Sequence, residues 1–235
     1  LDKVCGIIKS NKHSYYDFGL KIISREFNPP SKKKVKETLP YMNGSYDFSS
    51  LYGDNVYEER TIKYVFDFRY KDKIDFINKK IAITDWLTSN SKEPLYDDLI
   101  PGYYFIAECE GSIKFSEGYI DCEVTVVFNA YPFKISTLQD GHDIWDEFNF
   151  ELDMVQDTKF KVENIKNIQL YNNGATGINP VVKCSNDMEI VKGNTTFKFK
   201  AGESKSWSFK LDKGLNDLTI KGTGTIEFKW YKEVL

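Results

Sequence analysis

The chain has 235 residues, a formal net charge of −3, 29% charged and 41% hydrophobic residues. That balance is too apolar for intrinsic disorder and argues against a dedicated nucleic-acid binder. No run of about 18 apolar residues offers a transmembrane helix. Aromatics stand out, with 15 Tyr, 17 Phe and 4 Trp; such residues favour strands and interfaces. No apolar stretch follows a basic start, so no signal peptide is expected, although Leu1 in place of Met leaves room for a start residue or leader. Cys5, Cys109, Cys122 and Cys184 are too scattered for a zinc pattern and read as buried thiols of a reducing compartment.

Tyr15 to Phe27 alternates Tyr16, Phe18, Leu20 and Ile22 on one face, the period of a strand. Asn28-Pro29-Pro30 ends it, because proline lacks an amide donor and restricts its predecessor. Lys32-Lys33-Lys34 follows, then Val35 and Lys36. By itself this run reads as a solvated edge or loop, where lysines discourage strand pairing. The functional alternative is an arm that docks on a neighbour.

Tyr57 to Tyr70 is the clearest strand, with Ile62, Tyr64, Phe66, Phe68 and Tyr70 pointing one way. From Lys71 to Leu87 the period changes. Ile74, Ile77 and Ile81 fall at helical spacing, Asp72 is the expected N-cap, and Asp75 sits in the first turn. This is the one substantial helix expected. Strands resume after Glu93-Pro94, and Ser116-Glu117-Gly118 is expected to turn a hairpin with Gly118 at positive φ.

Asp140 to Asp157 holds seven acidic residues and no Lys or Arg, and a domain boundary is placed near its start, at residue 138. Beyond it, short alternating runs from KFKVE to TIEFKW are separated by turn residues, the spacing of an antiparallel sandwich or barrel. Gly222-Thr223-Gly224 reads as a turn between two of them.

No catalytic constellation is present: the sequence has no GxSxG, Walker A, HExxH or GxGxxG, and only two histidines, His13 and His142. No catalytic residue, metal or cofactor is expected. Asp140, His142, Asp143 and Asp146 could supply oxygen ligands, but their spacing is not that of a calcium loop, and an acidic linker is the simpler reading. Asp97 and Asp98 are adjacent, so on a strand they point to opposite faces and cannot converge on one bond; a polar turn before Pro101-Gly102 is expected. Trp207 alternates with Phe209 and Leu211, and Trp230 follows Ile226 and Phe228, so both read as core, while Tyr231 lies on the opposite face. Exposed, Trp207, Trp230 or Tyr231 could stack on sugar rings.

The ordered set of N-terminal features resembles siphophage-type distal tail proteins. It comprises a strand running into a Pro-bearing segment, a basic arm, the turn Pro40-Tyr41-Met42-Asn43-Gly44-Ser45-Tyr46-Asp47, and Tyr57-Glu58-Glu59-Arg60-Thr61-Ile62. Asp85-Trp86-Leu87, Pro94-Leu95-Tyr96-Asp97-Asp98 and Phe128-Asn129-Ala130-Tyr131-Pro132-Phe133 follow in order. Asn172-Asn173-Gly174, Pro180, Trp207, Gly214-Leu215-Asn216 and Gly222-Thr223-Gly224 are similar to the galectin-like domain many members carry.

The resemblance implies a mainly β fold. An N-terminal β-sandwich or split-barrel domain with one helix (residues 1–138, arm near 28–40) would precede a galectin-like antiparallel β-sandwich (139–235). It implies a structural virion protein at the distal end of the tail, assembled in the host cytoplasm. Six copies would form a ring joining the tail tube protein to the tail-tip protein and often to receptor-binding proteins. Neither membrane nor sequence-specific nucleic-acid binding is implied. On this reading Lys32, Lys33, Lys34, Val35 and Lys36 belong to an arm reaching the next subunit. The alternative is a lectin-like carbohydrate-binding protein using Trp207, Trp230 or Tyr231. A galectin site needs His and Arg on adjacent strands, and residues 139–235 contain no Arg, with His142 preceding the strands. An enzyme working with carboxylates is the third and weakest reading.

Overall fold

The computed structural model describes residues 4–41, 43–49, 55–141 and 154–235. It divides into two compact units, Leu1–Lys134 with Leu235, and Ile135–Val234. The fold is mainly β, with two helices among the described residues where one substantial helix was expected. Of the four cysteines expected to be buried, Cys122 and Cys184 are, while Cys5 is exposed and Cys109 partly so.

The first unit is organised around β6 (Arg60–Arg69) and β10 (Asp121–Ala130). They pair antiparallel over their whole length, placing Ile62 opposite Phe128, Tyr64 opposite Val126 and Phe66 opposite Val124. Alternation drives one face of both strands into the core, and all six of these side chains are fully buried. Also in this sheet are β1 (Ile7–Lys9), β2 (Lys12–His13), β3 (Lys21–Phe27), β7 (Glu93–Asp97), β8 (Tyr103–Glu108) and β9 (Lys114–Glu117). The strand order is β2-β1-β7-β8-β10-β6-β3, with β9 also on β10. The hairpin before β10 turns at Gly118–Ile120, closed by Gly118 N–H to the Asp121 carbonyl at 2.8 Å. The turn therefore lies two residues later than expected, and Gly118 is not at positive φ. A Cβ at Gly118 would instead collide with the Asp121 carboxylate, so the glycine serves close approach.

Tyr15 to Phe27 is not one strand. Ser14–Phe18 forms a short helix, α1, and β3 begins only at Lys21. His13 caps the helix: its Nδ1 accepts from the amides of Tyr15 and Tyr16 at 3.0 and 3.2 Å. Gly19, at φ 69°, ends it in the left-handed conformation that glycine adopts without a Cβ penalty.

Helix α2 (Lys73–Thr88) starts where expected, with the Asp72 carboxylate accepting from the Asp75 amide at 2.8 Å. Its buried face is Phe76, Ile83, Trp86 and Leu87. Trp86 stacks on Phe18 at 4.6 Å and donates its indole N–H to the Lys9 carbonyl at 3.0 Å.

The Asp97–Asp98 pair opens the expected polar turn, closed by Ile100 N–H to the Asp97 carbonyl at 2.9 Å, but its side chains are turned inward. Asp97 ends β7, is buried, and accepts from Arg25 Nε at 2.9 Å and Tyr64 Oη at 3.0 Å. Burial, and then the neighbouring Asp97 charge, push the Tyr64 hydroxyl far above its ordinary pKa. Asp98 turns elsewhere, to His13 Nε2 and the Gly6 amide, both at 3.0 Å. Because Nδ1 of His13 accepts from the backbone, the ring proton sits on Nε2 and faces this carboxylate. As expected from adjacency, the two carboxylates do not converge.

In the second unit β11 (Lys134–Gln139) pairs with β18 (Tyr231–Val234). The main sheet is built on β17 (Gly214–Lys229), which pairs with β12 (Lys159–Asn172) through fourteen consecutive residue pairs. The runs expected as separate strands are thus fused. Gly222 and Gly224 lie inside β17 rather than in a turn, at φ 136° and 144°. Side chains at either glycine would crowd Met188. The opposite edge of β17 carries β14 (Met188–Lys192) and then β13 (Val181–Cys184), with β15 (Thr195–Phe199) and β16 (Gly202–Lys205) outside them. Leu170, Ile190, Phe209, Ile220 and Phe228 lie in the core of this unit.

Removing the Asp97 carboxylate would strand the Arg25 guanidinium and the Tyr64 hydroxyl together. Asp97→Ala is expected to cost about 3 kcal/mol, against about 1 kcal/mol for Tyr64→Phe, which loses one hydrogen bond. Denaturant unfolding midpoints of the two variants check this order.

Candidate functional site

Among the described residues, the segment between β3 and β6 contributes no fully buried side chain to a core. Its base is tied down by a few polar contacts. Asn28 N–H donates to the Thr61 carbonyl at 3.2 Å, Arg60 Nε donates to the Asn28 carbonyl at 2.9 Å, and Lys32 bridges to Tyr57. Further out, β4 (Lys36–Glu37) and β5 (Tyr46–Asp47) form a two-stranded ribbon. The Phe48 amide extends the ladder by donating to the Val35 carbonyl at 2.8 Å.

This pairing gives the ribbon two unlike faces. Lys36 lies opposite Asp47, and Lys34 Nζ bonds the Asp47 carboxylate at 3.0 Å on that side. Alternation sends the apolar Val35, Tyr46 and Phe48 to the other side together with the charged Glu37, which lies opposite Tyr46, and the Tyr46 and Phe48 rings lie 6.2 Å apart. All three are exposed. Each residue from Ser31 to Tyr41 is exposed, including Lys32, Lys33, Lys34, Val35 and Lys36. An isolated two-stranded ribbon is marginal in water, so an amphipathic one with its apolar face bare is built to be covered.

Asp47 is the polar anchor of the ribbon. Hydrogen bonds from the Ser49 side chain and backbone, and then from Lys34, hold its carboxyl well below the usual carboxylate range.

The aromatic residues singled out in the second unit separate. Trp230 is only 3% exposed and belongs to the core, so it cannot contact a sugar. Tyr231 is partly exposed. Trp207, expected in the core, is instead 96% exposed while Phe209 and Leu211 are fully buried. The backbone does not keep strand alternation there. Asn179 Nδ2 donates to the carbonyls of Ser206, Trp207 and Phe209 at 3.2, 3.1 and 2.7 Å, drawing the loop around itself and turning the indole outward. His142, Asp143 and Asp146 lie outside the described residues. Among the described residues no three His, Cys, Asp or Glu side chains gather as a metal set, and no helix is long and apolar enough to cross a membrane.

Residues 11–130 match the family model of the phage tail protein RIFT-related domain, about half of the chain. The chain belongs to this family. Its fold is similar to that in the crystal structure of SPP1 Dit, described as a paradigm of the hub adsorption apparatus in phages infecting Gram-positive hosts. The TM-score is 0.68 at 13% identity, over 99% of this chain and 100% of that one. No curated protein matches by sequence. The ribbon thus lies within the residues matched by the family model, between β3 and β6.

Because the folded carboxyl of Asp47 titrates below the unfolded one, its contribution is fully present above the ordinary carboxylate range. It is lost as pH falls through the lowered value. The Ser49 amide and Asp47 carboxyl resonances are expected to titrate together, below the ordinary Asp range, in an NMR pH series. An ordinary Asp midpoint would contradict this geometry.

Proposed function

We propose that this chain is a structural virion protein at the distal end of a phage tail. Six copies close into a ring that joins the tail tube to the tail-tip and receptor-binding proteins. The N-terminal domain, residues 1–138, forms the ring, and a galectin-like domain, 139–235, decorates it. The protein assembles in the host cytoplasm and is not an enzyme. Membership of a phage tail family and the Dit-like fold support the class of protein.

The observation that carries the ring is the arm. Lys32, Lys33, Lys34, Val35 and Lys36 lead into a ribbon on which Val35, Tyr46 and Phe48 are exposed among the described residues. A surface of one copy that seats on a different surface of the next is a heterologous contact, and a rotation that closes makes a ring.

One observation favours a second reading, a carbohydrate-binding module. Trp207 stands outward on a loop fixed by Asn179, the presentation a sugar-stacking ring requires. A glycan array hit lost in Trp207→Ala would support it, and an array without hits would remove it.

Replacing residues 33–48 by a short Gly/Ser linker keeps the Lys32–Tyr57 base and removes the ribbon. Light scattering is expected to show about six monomer masses for the full chain and one for the shortened chain. A full chain that stays monomeric at high concentration, alone and with its tube protein, would overturn the ring.

A further inference from the structure

The pair Asn-Gly occurs twice in the chain, at Asn43–Gly44 and Asn173–Gly174. Such a pair is reactive because glycine, without a Cβ, leaves its amide nitrogen open to approach the preceding carboxamide. The structure gives the two pairs opposite surroundings. Asn43 and Gly44 lie between β4 and β5, and both are exposed. Among the described residues neither the Asn43 side chain nor the Gly44 amide has a hydrogen-bond partner. Gly44 stands at φ 88°, and a Cβ there would meet nothing within 4 Å, so the space around it is open.

The second pair is held. Gly174 is buried, and its amide donates to Asn172 Oδ1 at 2.9 Å. Asn172 is itself fixed, its Nδ2 donating to the carbonyls of Thr176 and Leu211 at 2.9 and 3.2 Å. The Glu233 carbonyl lies 3.1 Å from where a Gly174 Cβ would sit. An amide that is tied and packed in this way cannot swing onto the neighbouring side chain until the segment opens locally.

We infer that Asn43 is a site of spontaneous covalent modification, converted to aspartate and isoaspartate in the folded protein while Asn173 persists. The Gly44 nitrogen gives its proton to a solvent base and attacks Asn43 Cγ. A new C–N bond closes a five-membered succinimide, the Cγ–Nδ2 bond breaks, and Nδ2 leaves as ammonia with a proton from water. Water then adds to either ring carbonyl. Opening at one restores the backbone and leaves an aspartate side chain. Opening at the other routes the backbone through the former side chain as isoaspartate. The net exchange is ammonia for water, with no oxidant and no enzyme. Either product adds a negative charge to the ribbon. Isoaspartate also inserts one carbon into the connection that the Lys36–Asp47 and Glu37–Tyr46 pairs must keep in register. The chemistry needs only the exposed pair, so it does not depend on the proposed ring.

The test incubates the full chain at physiological temperature and slightly alkaline pH, once folded and once unfolded in guanidinium chloride, with peptide mapping after digestion in acid. In the folded chain the Asn43 peptide is expected to gain about 1 Da, placed at Asn43 by fragment ions, about tenfold faster than the Asn173 peptide or more. In the unfolded chain the two sites should react within about threefold of each other, because the fold no longer separates them. Asn43→Gln gives a second measurement, since its longer side chain would have to close a six-membered ring. The acidic species that accumulates on ion exchange of the folded chain should be largely absent from this variant. Equal rates at Asn43 and Asn173 in the folded chain would overturn the inference. So would an Asn43 that persists when folded yet reacts when unfolded, or an acidic species that grows equally fast in Asn43→Gln.

Discussion

The constraint on which the account depends is apolar surface that the chain does not bury. Hydrophobic surface left in water is costly in proportion to its area, and a soluble chain seldom keeps a contiguous patch without a use for it. Here Val35, Tyr46 and Phe48 share one face of a ribbon with no core beneath it, and Ile74, Ile77 and Ile81 share one side of a helix. Neither feature stabilises an isolated monomer. Both are consistent with the proposed ring.

The scaffold presenting these surfaces is correspondingly rigid. The β6–β10 pairing supplies a continuous apolar face, and α2 is fixed to the unit through Phe68–Phe76 and Phe18–Trp86 ring contacts. Buried polar groups tie the strand ends together. Asp97 joins β7 to Arg25 on β3 and Tyr64 on β6, while Lys9 on β1 pairs with Glu93 on β7. Buried ion pairs contribute little net stability but penalise any arrangement that separates them. They hold one strand order, and with it the positions of the arm base and the helix.

Much of this was legible from residue order. The strict alternation of β6 and the Asp72 cap of α2 need only local chemistry, and both appear as expected. Errors arose where a local pattern was satisfied by the wrong structure. Tyr16, Phe18, Leu20 and Ile22 alternate, but the His13 imidazole and Gly19 make one helical turn of the same stretch. Trp207 alternates with Phe209, but a single side-chain amide, Asn179, overrides the strand. Ile74, Ile77 and Ile81 mark the helix correctly by their spacing, yet they line its outer side. Periodicity shows that an apolar face exists, while only tertiary packing decides whether that face meets its own core. The ribbon near residues 35–48 depends on the Lys36–Asp47 register, which composition does not encode.

The most direct test of the central claim is electron microscopy of the purified full chain, alone and mixed with its tail tube protein. Class averages of a six-fold ring with a central opening are expected. Uniform single-copy particles in both preparations would contradict the ring.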